Sequence, residues 1–423
     1  MKRIALLFSM LLAGAVVFGG SASGGPASGG YIVVLEKGAS VDSVLAQHAS
    51  LAGADVRHTY RHALKGYAAT LSPQALASVR ADSRVAFISP DRIVRATAQT
   101  LPTGINRIDG DTSSTLSGNG SGSVNVNVAV IDTGIDTSHP DLNVVGGRDC
   151  APGIGFMDGN GHGSHVAGTI AAKDDANGVV GVVPGARLYA VKVLNDAGVG
   201  LTSDIVCGIN WVTSTRTDGD PNNNIAVANM SLGGGGADDG NCGQSSGDAE
   251  HLAICNSTNA GVTYVVAAGN DGVDYRNSTP AAYDQVLTVT AMADYNGAPG
   301  GGAASTCRSG TDDAFASFSN WATLAADQNH TIAGPGVCIN STYMLGMYST
   351  LSGTSMASPH VAGVAALCIA TGACTGTPAQ IISKLRADAQ SYNQANTGYG
   401  FTGDPIRPTS GRYYGYLTRA GSY

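Results

Sequence analysis

The sequence predicts a chain of two folded pieces: a small α+β unit, then a larger α/β unit built on a doubly wound, mostly parallel sheet. Three observations carry this expectation. After residue 125, apolar runs of strand length recur without polar alternation, as in VNVAVI (126–131) and VTYVVAA (262–268), with helix-like stretches between them. Strands buried on both faces and separated by helices form parallel sheets. Residues 31–91 instead show short strand and helix patterns in the order β-α-β-β-α-β. Between the pieces, ATAQTLPTG (96–104) is polar and carries Pro and Gly near its end, as a linker does.

The elements follow in chain order. Met-Lys-Arg, an apolar run from Ile4 to Phe18 and small residues around Ser21-Ala22-Ser23 form the pattern of a secretory signal peptide over 1–23. No later apolar run reaches the roughly 18 to 20 residues that span a bilayer. Val361 to Ala370 reads as a buried helix, so an exported protein without a membrane partner is expected. In the unit spanning 24–98, YIVVLE (31–36), ADVRHTY (54–60), GYAATL (66–71) and RVAFISPD (84–91) read as strands. VDSVLAQHASLAG (41–53) and PQALASVRA (73–81) read as helices, which completes a ferredoxin-like plan. In the unit spanning 99–423, strands are expected at 126–131, 186–194, 224–232, 262–268 and 286–293, and helices at 161–173, 203–214 and 248–260. Such sheets gather functional groups at the carboxyl ends of their strands.

All eight cysteines lie between Cys150 and Cys374. An even count in an exported chain points to disulfides. Short separations favour Cys242 with Cys255 and Cys368 with Cys374, and leave Cys307 with Cys338 and Cys150 with Cys207 as the remainder. No CxxC pair supports a zinc cluster. Residues 24–98 carry a net charge of +3 and residues 99–423 of −13. Opposite signs suit either docking of the two pieces or two ordinary solvated surfaces, between which charge alone does not decide, and an acidic body argues against nucleic acid as a partner.

Three motifs fall where chemistry is expected. VAVIDTG (128–134) runs a buried strand into Asp132 and a Gly turn. A lone Asp-Thr-Gly is also an ordinary turn, and the aspartic protease reading wants a second copy that does not follow. GNGHGSHVAGT (159–169) sets His162 and His165 at a helix start. His-x-x-His raises a metal site, yet there is no HExxH glutamate, and Glu250 is the only Glu after residue 98. A histidine near a helix N-terminus is expected to be neutral, as a general base must be. LSGTSMASPH (351–360) holds Ser352, Ser355 and Ser358. A serine at the mouth of a helix can present Oγ as nucleophile with its N–H toward an oxyanion, or can simply cap the helix. Ser352 is expected to bond locally and Ser358 to be structural.

Together, VIDTGID, HGSHVAGT, MSLGGG, VVAAGN and SGTSMASPHVAG closely resemble the subtilisin family of serine proteases from about Ile108 to the tail, and the first unit resembles that family's inhibitory propeptide. Ser164, where Thr is usual, is a mild departure. The resemblance implies a subtilisin-like fold in which Ser355 is the nucleophile, His162 the general base and Asp132 its orienting carboxylate, with Asn270 donating to the oxyanion. It further implies that Ser231, Leu232 and Gly233 pair with an extended substrate, and that Ala267, Ala268 and Gly269 wall a primary pocket for apolar or aromatic side chains. No catalytic cofactor is implied. Asp141 and Asp175 resemble positions that hold a structural calcium. The expected protein is a secreted monomer acting on protein or peptide substrates, with its own propeptide as intramolecular inhibitor, cleaved between about Arg95 and Leu101. A rival reading from another class is a non-catalytic secreted binding module on the same fold.

Overall fold

The structure, a computed structural model, describes residues 30–91, 99–151 and 155–423. The expected signal peptide, and residues 95–98 of the expected cleavage segment and linker, lie outside the described residues. The chain divides into two units, Met1–Ala96 and Thr97–Tyr423.

The first unit runs β1 (Gly30–Leu35), α1 (Val41–His48), β2 (Ala54–Tyr60), β3 (Gly66–Leu71), α2 (Pro73–Arg80) and β4 (Val85–Pro90). Its antiparallel sheet has the order β2-β3-β1-β4. The Ser40 and Ser72 hydroxyls cap the two helices by accepting the Ser43 and Ala75 N–H groups. α1 stops at His48, short of the expected 53, where the buried imidazole bonds Tyr67 and Asp82 and ties the helix end to the sheet. Val33, Val44, Tyr67, Leu71 and Val79 form the core of this unit.

The second unit begins with α3 (Thr103–Arg107), which starts inside the expected linker because Pro102 precedes it and Ile105 is fully buried. There follow β5 (Asn127–Asp132), β6 (Val144–Asp149), α4 (His162–Ala171), β7 (Arg187–Lys192), α5 (Thr202–Ser214), β8 (Val227–Met230), β9 (Gly234–Gly235), α6 (Ala249–Asn259), β10 (Thr263–Ala267), β11 (Ser278–Thr279) and β12 (Leu287–Ala293). Then come β13 (Ala314–Phe315), α7 (Ala325–Gln328), β14 (Thr331–Pro335), the hairpin β15 (Ile339–Tyr343) and β16 (Met347–Leu351), α8 (Thr354–Ala370) and α9 (Pro378–Ala395). The main sheet has the order β13-β12-β10-β8-β5-β7-β6, with β14 also on β12. Its pairings are parallel except that of β13 with β12.

Period-two alternation explains why its strands are apolar throughout. Val128 and Val130 of β5 pack with α4 and α8, while Ala129 and Ile131 pack on the other face with Ile209 of α5 and Ile254 of α6. α8 is buried nearly all round, and its run of Ala and Gly lets it lie close against the sheet.

The four disulfides join Cys242–Cys255 and Cys368–Cys374, which short separation favoured, and Cys150–Cys207 and Cys307–Cys338, the remainder. The Gly-rich stretch 297–302 is held by more than the Cys307–Cys338 bridge. Asp313 Oδ2 accepts the Gly300 and Gly301 N–H groups at 2.7 and 2.9 Å, and the fully buried Arg107 is paired with Asp294 and Asp313.

Candidate active site

β5, β8 and β10 are adjacent and parallel, so their carboxyl ends deliver Asp132, Ser231–Gly233 and Ala267–Asn270 to one edge of the sheet. α4 and α8 begin with His162 and Thr354-Ser355. The structure thereby gathers residues from five separate stretches of sequence.

Asp132 is fully buried, and its Oδ1 accepts from His162 Nδ1 and from the Thr133 N–H, both at 2.7 Å. With Nδ1 donating, a neutral His162 carries its lone pair on Nε2. Gly163 is required at the next position: a Cβ there would lie 2.1 Å from the Gly134 carbonyl oxygen. Burial disfavours a charged His162, but the Asp132 carboxylate, helped by Asp158, outweighs it and holds the pKa above the ordinary range. The direction is opposite to the one the helix terminus alone would give. A carboxylate in direct contact dominates a diffuse dipole.

Asp158, which sequence reasoning missed, organises the start of α4. Its Oδ1 accepts from Thr133 Oγ1 and the Asn160 and Gly161 N–H groups, and its Oδ2 from Ser164 N and Oγ at 2.9 and 2.6 Å. An Asp four residues before a histidine at a helix start was a readable signal, since carboxylates satisfy exposed helical N–H groups. The Ser164 hydroxyl also accepts the Asp136 N–H at 2.9 Å, so serine supplies the hydroxyl this position uses. His165 is buried with Nε2 bonded to the Ile339 and Ser349 carbonyls, and burial drives its pKa down to about 3. That nitrogen donates to carbonyls and is not available to a metal, so the His-x-x-His pair separates into one cleft residue and one that anchors the hairpin.

Ser355 is half-buried, and its Oγ donates to the Ser231 carbonyl at 3.2 Å rather than to His162. Pro359 lies inside α8 and has no N–H, so the Ser355 carbonyl lacks the usual donor four residues on. Ser231 Oγ supplies the missing bond at 2.9 Å and in turn accepts from Asn229 Nδ2, whose Oδ1 accepts from Ser358 Oγ at 2.7 Å. Ser358 is structural, as expected. Ser352 is not local: its Oγ accepts the Cys338 N–H at 2.9 Å, because the β15–β16 hairpin returns the chain beside β15's start.

Asn270 is exposed, and its Oδ1 accepts from Thr354 N and Oγ1 at 2.8 and 3.0 Å. A backbone N–H can only donate, which fixes the amide orientation with Oδ1, not Nδ2, on Thr354. The loop that carries it is set by Asn320, fully buried, which donates to the Ala268 carbonyl and accepts the Asp271 and Val273 N–H groups. Asn320 has no local signal in the sequence. Gly269 at φ +102° could not carry a side chain, since a Cβ would meet Asn320 at 2.3 Å.

A cleft of about 540 Å³ is lined by Ser231–Gly233, Ala267–Gly269, Asn270, Thr354 and Ser355. A second, of about 360 Å³, lies across the Ser231–Gly233 segment and is lined by His162, Leu194, Val199 and Ile205. All of the expected substrate-binding residues therefore face one groove system. Asp141 and Asp175 lie apart from it: Asp141 is buried and Asp175 exposed.

Residues 123–402 match the Subtilase family, and residues 30–97 match the Peptidase inhibitor I9 family. Subtilisin amylosacchariticus of Bacillus subtilis subsp. amylosacchariticus is 38% identical over 342 residues, covering 80% of this chain and 78% of that protein. M-protease of Shouchella clausii (strain KSM-K16) is 40% identical over 298 residues, covering 70% of this chain and 67% of its own. Among solved structures, a cold adapted subtilisin-like serine proteinase superposes with a TM-score of 0.54 at 30% identity, over 75% of this chain and 97% of that one. The chain belongs to the subtilase family of serine-type endopeptidases, with an inhibitor I9-type domain ahead of its peptidase domain.

Proposed function

We propose that the chain is an extracellular endopeptidase made as a precursor. Residues 1–23 are its signal peptide, 24–98 its inhibitory propeptide and 99–423 a monomeric catalytic domain with no nucleic-acid or membrane partner. Among the described residues no helix is long and apolar enough to cross a membrane. The observation that carries the reading is the Asp132–His162 bond beside a groove lined by Ser355 and Asn270.

The proposed steps follow from those positions. Ser355 Oγ turns from the Ser231 carbonyl toward His162, loses its proton to Nε2 and attacks the peptide carbonyl. Asp132 fixes the tautomer and stabilises the imidazolium, which returns the proton to the leaving amine. Asn270 Nδ2 and the Ser355 N–H receive the oxyanion. The acyl-enzyme is then hydrolysed by the same base acting on water. Ser231–Gly233 pairs with the substrate backbone as an added strand, so affinity depends little on side-chain identity.

The walls Ala267, Ala268 and Gly269 leave the larger cleft roomy, with Asp271 exposed at its rim. We expect cleavage after apolar and aromatic residues. A peptide-library cleavage profile checks this, and cuts concentrated after Lys or Arg would refute it. A serine-directed phosphonylating reagent separates enzyme from binding module, since the module would remain unlabelled.

No cofactor takes part in these steps, but Asp141 and Asp175 fit a structural calcium. Asp141 Oδ1 is buried without a partner, while Oδ2 accepts from Val179 N and Tyr348 Oη. Burial, with repulsion from Asp175, pushes the Asp141 carboxyl up to about 6. A hard cation held by these carboxylates would satisfy the orphaned oxygen and relieve the repulsion. The sign follows: with its pKa raised in the fold, an ion-free Asp141 costs nothing below the ordinary carboxylate value of about 3.9 and its full penalty above the folded value of about 6. Chelation is therefore expected to lower the melting temperature at pH 8 and to have little effect at pH 4. Asp141→Asn should abolish the chelator response in a thermal scan.

A further inference from the structure

We propose that His330, Asp327 and Asp284 form a site for a transition-metal dication of the Zn²⁺ type, on the outer side of the segment that forms the wall of the larger cleft. The first observation is a tautomer. His330 is 3% exposed, and its Nδ1 lies 3.2 Å from Thr288 Oγ1. The Thr288 hydroxyl spends its single proton on the Ala281 carbonyl at 2.7 Å, so toward His330 it can only accept. Nδ1 therefore carries the proton, and Nε2 holds a lone pair.

The Val286 carbonyl also faces the ring, but Nε2 has no partner within hydrogen-bond geometry, and it faces carboxylates. Nε2 is buried and stands 3.7 Å from Asp284 Oδ1. Asp327 is 4% exposed, and its Oδ2 is likewise unpartnered. One ligand atom from each of the three residues lies within 4.8 Å of the others. A lone pair set against two anionic oxygens is repulsive unless a cation stands between them.

The surroundings carry both signs: Asp238 accepts the Asp284 N–H at 2.9 Å, Arg276 is paired with Asp274 at 2.6 Å, and Arg386 donates to the Gln328 and Thr331 carbonyls. A dication bound by a neutral imidazole and two carboxylates would satisfy all three groups at once. Zinc bonds of about 2.0–2.1 Å need the donors to close by only small side-chain movements. An imidazole donor favours zinc or its neighbours over calcium, which prefers oxygen alone. Thr288 is then the outer partner that orients the ligand, a recurrent arrangement for metal-bound histidine. Asp284 has a half-exposed side chain and provides the entry path. The occupied site would tie α7's end to the loop between Ala281, which lines the cleft, and Asp284.

Calorimetric titration of the full-length Ser355→Ala chain with ZnCl₂ tests this, run beside the same chain carrying His330→Asn, Asp284→Asn or Thr288→Val. The parent should bind one more equivalent than the His330→Asn chain. Asp284→Asn should weaken that site at least tenfold, and Thr288→Val by about 10- to 100-fold. CoCl₂ should give a visible d–d absorption that His330→Asn removes. Identical zinc binding by the parent, His330→Asn and Asp284→Asn would overturn the proposal, as would a parent that takes up neither metal. If His330→Asn fails to fold, the half-exposed Asp284→Asn and the isosteric Thr288→Val decide the question alone.

Discussion

Replacing Ser355 with alanine is expected to leave the precursor uncleaved and to lower turnover on casein by about 10⁶-fold, a magnitude known for subtilisin itself and carried over from it. The loss should be chemical rather than structural. In the resting fold the hydroxyl donates only to the Ser231 carbonyl, at 3.2 Å, so its removal costs one half-buried hydrogen bond. The bond from Ser231 Oγ to the Ser355 carbonyl survives, and the start of α8 stays in place. The melting temperature should therefore change little. N-terminal sequencing of the secreted material provides the second readout. The parent should begin between about Arg95 and Leu101, and the variant should retain the upstream unit. Normal maturation of the variant would remove Ser355 from its assigned role.

Asp132→Asn is expected to cost about 10⁴-fold in turnover, the scale seen when other triads lose this carboxylate. Asp132 Oδ1 accepts two hydrogen bonds, one from Thr133 N and one from His162 Nδ1. An asparagine that keeps its oxygen on Thr133 can turn its amide N–H toward His162, which places the imidazole proton on Nε2. The base would then have no lone pair for the serine proton. Stability should suffer little, because Asp132 Oδ2 is buried without a partner and the substitution removes a buried charge. The pH profile supplies a sharper test. The carboxylate raises the His162 pKa, so the parent should lose activity on acidification through a point above the ordinary histidine value of about 6.5. The residual activity of Asp132→Asn should persist to lower pH than the parent's. An unchanged limb would show that another group controls it. The same pair adds stability only while His162 is protonated: that contribution is present below about pH 6.5 and is lost as pH rises through the folded value.

Much of this was legible before folding was considered. β5, β7, β8, β10 and β12 were readable because both of their faces are buried, which leaves long apolar runs. The strands missed lack such runs: β14 is wholly buried but only five residues long and carries Gly and Pro. β6 carries two glycines and a charged end at the sheet edge, and the β15–β16 hairpin is rich in Ser, Thr and Tyr because it packs beside α4 rather than in the sheet. α9 was signalled by Thr377, Pro378 and Gln380, a capping box that the structure uses, but the signal went unread. At the candidate site, Asp132, His162, Ser355 and Asn270 were singled out by the family resemblance of their motifs, since each read locally is equally a turn or helix-start residue. Asp158 and Asn320 were not, since their task is to satisfy backbone groups that only the fold brings near.

The proline within α8 bears on how this molecule tolerates change. By leaving one carbonyl to be met from outside the helix, it makes Ser231 a fixed spacer between the track for the substrate backbone and the attacking residue. In the proposed mechanism the interval between Ser231 and Ser355 is thereby set by these bonds, while the glycine-rich region around 297–310 is clamped separately, by its own aspartates and disulfide.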